Sequence, residues 1–243
     1  MSGATLVVVA LVVAGAATVQ LAAGFGFGLA AVPLLSITLD PHDAVVVALT
    51  LATLTNGFQA ITGRGRTDRG VAGRMLLGAA AGLPIGLLVF LRADDRWLGV
   101  LVGLAVLAAV VVIARGLDLR HAGPALDVGA GLLAGSLTMS VGVNGPPLVF
   151  VLQARQFDQH RFRATITTVF AVLDVISVAV FAVSGDLDGD TALAVAVSVP
   201  GLALGAAAGV ALRRHLDADR FRRLVLALLV VAGISAVATA LTR

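Results

Sequence analysis

Residues 24–28 read Gly24-Phe25-Gly26-Phe27-Gly28 inside an otherwise unbroken apolar stretch, and Gly142-Val143-Asn144-Gly145-Pro146-Pro147 interrupts a second one. Glycine loses more freedom in a helix than any other residue, and proline removes a donor, so each string breaks a helix amid apolar surroundings. Backbone N–H and C=O groups freed in hydrocarbon are costly, and such breaks persist only where protein buries them or where they line a polar cavity. Two of them, in matching halves of one chain, point to a transporter binding site.

The surroundings are those of a membrane. With 243 residues, 59% of them hydrophobic and 13% charged, and a mean hydropathy of +1.03, the chain has too little polar residue to coat a globule. Apolar runs fall at 4–39, 43–62, 71–91, 97–114, 127–152, 164–184, 191–212 and 223–241, most near the roughly 20 residues a spanning helix needs. Strand alternation is missing, which excludes a membrane β-barrel. The expected fold is therefore an all-α polytopic membrane protein of about eight hydrophobic segments. The stretch after Met1 has no basic n-region and is too long for a signal-peptide core, so the first segment reads as part of the mature protein.

Every basic side chain is Arg and every acid is Asp. The pI of about 11.1 reflects Arg in short loops and at helix ends, which orients a membrane protein and does not imply a nucleic-acid partner. The clusters at 64–74, 155–163 and 213–223 mark cytoplasmic junctions, and the acidic loops Asp40–Asp43 and Ser184–Asp190 mark the outside. If all eight segments crossed once, the first and second Arg clusters would lie on opposite faces. A segment broken at Gly142–Pro147 that enters to mid-depth and returns as a half-helix removes the conflict. Residues 4–39 would be about 54 Å long as one straight helix, against a hydrocarbon core of about 30 Å, so a second re-entrant hairpin, entering from outside, is expected.

Each half then holds one broken hairpin and three spans, and the odd number inverts the second half. Gly24 aligns with Gly142, His42 with His160 and Asn56 with Asp174 at a common offset of 118 residues, and Asp95-Arg96-Trp97 resembles Asp219-Arg220-Phe221 at an offset of 124. The reading is one transporter domain over 1–243, with repeat 1 at 4–114, a hydrophilic linker at 115–126 and repeat 2 at 127–241.

Gly24-Phe-Gly-Phe-Gly-Leu-Ala-Ala-Val-Pro-Leu-Leu35 and Gly142-Val-Asn-Gly-Pro-Pro-Leu-Val-Phe150 resemble the paired signatures of the TauE/SafE family of sulfite and organosulfonate exporters, also called the toluene sulfonate uptake permease family. The resemblance implies seven or eight helices, two repeats and transport of small sulfur-containing anions. Phe25 and Phe27 between the glycines, and Asn144 where a glycine is frequent, depart from the commonest form.

The residues themselves fit an anion. A half-helix starting after a break aims N–H groups and its positive dipole end at the turn, and no Arg lies deep in a predicted span. The expected substrate site is Gly26, Phe27, Gly28, Ser140, Val143, Asn144 and Gly145, with Ser136 and Thr138 on the approach and Phe25 and Phe27 as gates. The competing account is close packing through small residues. Asp174, near the centre of its span, is a candidate carrier of a coupling proton, or the structural partner of Asn56 and Gln59. Gln20, Thr53 and Thr55 are further candidates to face the cavity.

His42, His121, His160 and His215 are not paired at metal-ligand spacing, cysteine does not occur, and no hydrolase, Walker or dinucleotide motif is present. No enzyme, metal or cofactor is expected. The expectation is a secondary transporter of the plasma membrane, exporting a small sulfur anion by alternating access and drawing on the membrane potential or a proton gradient. Its partners are that anion, the lipid bilayer and, as an open option, a second copy in a homodimer. Alternatives with the same fold are a carrier of another anion, a carboxylate or a cation; a passive channel or a scaffold are the others. A cysteine introduced at Ser2 should react with an impermeant thiol reagent from outside only; protection there would mean that residues 4–23 cross.

Overall fold

The computed structural model describes residues 3–115, 123–212 and 218–242. Among these residues it contains ten α-helices and one 3-10 turn, with no strand. They are α1 (Gly3–Ala23), α2 (Phe27–Leu35), α3 (Pro41–Gly63), α4 (Arg69–Arg92), α5 (Asp95–Arg115), α6 (Pro124–Val141), α7 (Gly145–Ala154), α8 (Gln159–Ser184), α9 (Gly189–Leu212) and α10 (Ala218–Thr242), with the 3-10 turn at Arg64–Arg66. Among the described residues, six helices (α1, α3, α4, α6, α8 and α9) are long and apolar enough to cross a membrane.

Helix boundaries follow local chemistry. Asp68 caps α4 by accepting from the Val71 N–H at 3.0 Å, and Asp158 caps α8 by accepting from His160 and Arg161 N–H groups at 3.0 Å, each satisfying donors that a helix start leaves free. α8 ends on Gly185, whose φ of 88° is accessible to glycine at little cost. α6 begins at Pro124, inside the stretch expected to be linker.

Both broken segments are resolved as a long helix, a turn and a short helix. The arms are unequal, 21 and 9 residues in the first and 18 and 10 in the second, whereas the second segment was expected to enter only to mid-depth. The long arms are about 31 and 27 Å at 1.5 Å per residue, because the glycine strings fall late in their segments. The second hairpin returns to its own entrance. Asp127, fully buried in the first turn of α6, is bound by Arg155 after the end of α7 at 2.9 Å and by Arg74 of α4 at 2.8 Å. Arg155 also donates to the Gly123 carbonyl at 3.4 Å.

Several helix pairs correspond when the two halves are exchanged. α1 lies on α9 as α6 lies on α4, α2 meets α10 as α7 meets α5, and the remaining central pairs are α3 with α8 and α5 with α10. The long arms sit on backbone. A methyl at Gly78, Gly82 or Gly86 of α4 would overlap the carbonyls of Val128, Leu132 or Ser136 of α6, and one at Gly201, Gly205 or Gly209 of α9 would overlap those of Ala10, Ala14 or Thr18 of α1. The carbonyls correspond at an offset of 118 residues and the glycines at 123, so a few residues separate the halves somewhere between the α3/α8 and α4/α9 helices.

The first two Arg clusters come together at one end of the bundle. Arg161 pairs with Asp68, Arg66 contacts the His160 ring nitrogen at 3.2 Å, and the Thr67 hydroxyl reaches the Ala164 carbonyl at 3.3 Å. Of the third cluster, Arg213 and Arg214 lie outside the described residues, as do His121, His215 and the side chains of Arg64, Arg220, Arg222 and Arg223.

Overpacking a core commonly costs about 1–3 kcal/mol, and a carbonyl, unlike a side chain, has no rotamer to move into. Gly82→Val and Gly205→Val should each lower the unfolding temperature in detergent by several degrees. Gly73→Ala, where a methyl meets nothing within 4 Å, should leave it unchanged; equal effects from all three would refute backbone contact as the basis of the packing.

Candidate functional site

The two breaks cross in contact. Gly24, Gly26 and Gly142 take φ values of 92°, 102° and 67°, conformations that cost a side-chain-bearing residue about 1–2 kcal/mol. Gly28, in the first turn of α2, packs so closely on the second break that a Cβ would overlap the Gly142 carbonyl oxygen. The glycines are therefore required twice, for chain reversal and for close approach.

The breaks differ in what they offer. α2 starts at Phe27 with no side-chain cap, so the N–H groups of its first turn face the crossing. α7 starts Gly145-Pro146-Pro147, and proline has no N–H, so most of the corresponding donors are missing from the second break. Asn144 stands at this helix start without capping it. Its amide instead donates to Asp174 Oδ1 at 3.1 Å.

Asp174 is fully buried on α8. Its other oxygen accepts from the Asn56 amide of α3 at 2.7 Å. Asn56 Oδ1 accepts from Gln20 of α1 at 2.5 Å, and Gln20 Oε1 accepts from the Thr55 hydroxyl at 3.3 Å. The donors run from Gln20 through Asn56 to the carboxylate, with the Thr55 hydroxyl shared between Gln20 and the Ala52 carbonyl at 3.0 Å, and Asn144 closes on the carboxylate from the other break. A carboxylate out of water is retained when its oxygens are hydrogen-bonded, and here donors from both halves supply those bonds.

These groups line a small cavity with Gly26, Phe27, Gly28, Gly142, Leu49, Ala52 and Phe170. The centre of a water molecule has about 10 Å³ to move in, room for roughly one water. Asp174 is the only charged side chain lining it among the described residues.

Of the residues expected from sequence, Gly26, Phe27, Gly28, Asn144, Asp174, Asn56 and Gln20 come together at this cavity. The others lie around it. Val143 is in the apolar core, and Gly145 packs toward Leu29, Phe25 and Phe170. Phe25 meets Phe162 edge-on at 6.3 Å. Ser140, Thr138 and Thr53 bond back to the carbonyls of Ser136, Ala134 and Leu49, the habit of small hydroxyl residues in membrane helices. Ser136 bonds to Leu132 and to Gly82 of α4, and Gln59 to the Thr55 carbonyl at 3.5 Å, away from Asp174.

Leu49, Ala52 and Phe170 were not singled out from sequence. Phe170 stands one helical turn before Asp174, a spacing that could have flagged it. Arg163 was counted as a loop charge only; it lies in the second turn of α8, donates to the Ala22 carbonyl at 2.6 Å and covers Gly24. At the second break the corresponding neighbour of Gly142 is Val45, 118 residues earlier in the chain, so a cation stands at one break and an apolar side chain at the other.

Residues 8–236 match the family model described as sulfite exporter TauE/SafE. The chain is 31% identical over 166 residues to the "probable inner membrane transporter protein TsaS" of Comamonas testosteroni, covering 67% of this chain and 70% of that protein. It is 25% identical over 193 residues to the "probable sulfite/organosulfonate exporter TauE" of Cupriavidus necator, covering 74% and 73%. No solved structure gives a significant match.

Removing one donor from the buried carboxylate should cost about 1–3 kcal/mol. Asn56→Ala should therefore lower the unfolding temperature, and the loss should be smaller when made in an Asp174→Leu background, where no carboxylate awaits the amide. Strict additivity in this double-mutant cycle would show that the two side chains are not coupled.

Proposed function

Because the chain belongs to the sulfite exporter TauE/SafE family, we propose that it is a secondary transporter that moves sulfite or small organosulfonates outward across the inner membrane by alternating access around the two crossed breaks. The cargo class comes from the family description and from the printed name of the Cupriavidus relative, and the membrane from that of the Comamonas relative. The observation that carries the site is the meeting of Gly26–Gly28, Asn144 and Asp174 around one enclosed polar space, with donors from both halves aimed into it.

In this reading the first break supplies backbone N–H groups of Phe27 and Gly28, and the second supplies the Asn144 amide in place of the donors that Pro146 and Pro147 lack. Ser140, Val143 and Gly145 shape the turn, while Phe25 and Phe27 exclude water as the gate. Asp174 carries the coupling proton, with Asn56 as its direct partner and Gln59 outside the cluster. The halves act as inverted repeats, 4–114 and 127–241, within one domain. The Arg clusters at 64–74 and 155–163 face the cytoplasm, and so does that at 213–223. A cation as cargo is disfavoured, because both oxygens of Asp174 already accept from amides.

The cavity is smaller than a sulfonate head, so the breaks must part at the Gly28–Gly142 contact for cargo to enter. That makes flux saturable and coupled to a protein motion, unlike flux through an open pore. Proteoliposomes loaded with unlabelled sulfoacetate should accumulate labelled sulfoacetate transiently by counterflow, with sulfite competing and acetate not. Asn144→Ala should weaken the apparent affinity at least tenfold. Absence of counterflow for every sulfur oxyanion, in protein shown to be folded, would overturn the cargo assignment.

A further inference from the structure

We propose that Asp174 is an internal stand-in for the cargo: its carboxylate occupies the Asn56 and Asn144 donors that an oxyanion uses, and cargo binds only after Asp174 takes up a proton and becomes the third donor to it. This rests on the transporter reading given above.

The hydrogen-bond directions carry the argument. Asn56 Nδ2 and Asn144 Nδ2 point at the two carboxylate oxygens, at 2.7 and 3.1 Å. An amide N–H₂ donates and does not accept, so a protonated Asp174 has no acceptor in these two neighbours. Asn56 does not turn its oxygen round alone: Oδ1 accepts from Gln20 at 2.5 Å, so Gln20 would have to turn with it, away from the Thr55 hydroxyl that lies 3.3 Å from its oxygen and 3.0 Å from the Ala52 carbonyl. The relay keeps donors facing the site. Once protonated, the group presents an O–H beside two N–H₂ groups, three donors around one point, and the entering species that satisfies all three is a head with three acceptor oxygens. A sulfonate or sulfite gives each donor its own oxygen; a carboxylate meets three donors only by sharing one of its two oxygens between two of them.

The charged form excludes cargo for two reasons. It uses the donors, and it places a negative charge beside the incoming one in an enclosed space, where the two repel strongly. Among the described residues no other titratable side chain lines the cavity: Gln20 from α1, Asn56 from α3 and Asn144 from the second break are the polar groups facing Asp174, and α2 contributes Phe27 and Gly28. Arg163, toward the other end of α8, is directed to the Ala22 carbonyl. The step balances simply. One proton adds to a carboxylate oxygen of Asp174, the Asn56 and Asn144 bonds to that carboxylate are released, and they re-form on the oxyanion. Proton and anion then cross together, so a monosulfonate moves with no net charge, and export runs down the gradient of the cargo itself.

The test uses ethanesulfonate, which keeps one negative charge at every pH of interest, whereas sulfite changes its own protonation near neutrality. Binding to the purified full-length protein is measured by calorimetry from pH 5 to 9, and efflux from proteoliposomes with the outside made acid or alkaline. In the wild type the apparent Kd should be constant at low pH and rise about tenfold per pH unit once Asp174 ionises, the slope for one linked proton. Asp174→Asn should bind with no pH dependence, near the low-pH affinity of the wild type. Asn56→Ala should weaken binding at all pH values with the slope kept. Efflux should quicken when the outside is alkaline. A pH-independent wild-type Kd, or a slope that survives in Asp174→Asn, overturns the inference and leaves the transporter reading standing. No binding or flux of any sulfur oxyanion at any pH overturns that reading itself. Should Asp174→Asn fail to fold, the wild-type slope and the effect of outside pH on efflux decide the matter.

Discussion

Where Gly82 and Gly205 lean on the carbonyls of Leu132 and Ala14, the long arm of each hairpin is held by a helix of the other half, and neither half can shelter its own break alone. In a bilayer the usual gain from burying apolar side chains between helices is small, since lipid is as apolar as they are; close backbone approach takes its place. Two such seams, α1 on α9 and α6 on α4, bring the breaks to the bundle interior. There the costly unpaired backbone groups meet each other and a polar cavity, away from hydrocarbon.

The same exchange between halves builds the site. Asn56 and Asp174 occupy equivalent positions on α3 and α8, yet one is an amide and the other an acid, and they bond to each other at 2.7 Å. A symmetric pair of acids would repel, and a symmetric pair of amides would hold no charge. With an amide at one position and an acid at the other, the crossing has a single carboxylate with matched donors. The buried ion pairs of Asp127 with Arg74 and Arg155 act elsewhere, at the mouth of the second hairpin. They tie its entrance and its exit to α4, so that this hairpin and α4 hold a fixed relation while the break is left to the crossing.

Much of this was legible in the residues. Run lengths gave the helices, the glycine strings gave both breaks, and the match of Asn56 with Asp174 at one offset brought together two groups that touch in the fold. Asn144 stood out because it lies in the second break with an amide able to donate to an oxyanion, and Gln20 as a polar side chain able to face the cavity. The unequal arms could have been measured from where the glycines fall, but the second segment was expected to reach only mid-depth. Which helix each arm lies on was not legible, since glycines spaced by four are as consistent with any neighbour. Ser140 and Thr138 looked like ligands because their hydroxyls point somewhere; in a helix that somewhere is the carbonyl one turn back. Arg163 read as a loop charge because sequence alone does not say how far a helix extends beyond its apolar run.

Ala, Val, Arg and Asp all occur repeatedly along the chain. All four are a single base change from a glycine codon. At Gly73 or Gly57, where a methyl meets open space, the change to Ala is harmless; at Gly28, Gly82 or Gly205 any of the four drives a side chain into a main-chain oxygen. The substitutions that arise most readily are thus the ones the seams tolerate least. The mutational fragility of this molecule is concentrated in a handful of positions that carry no side chain at all.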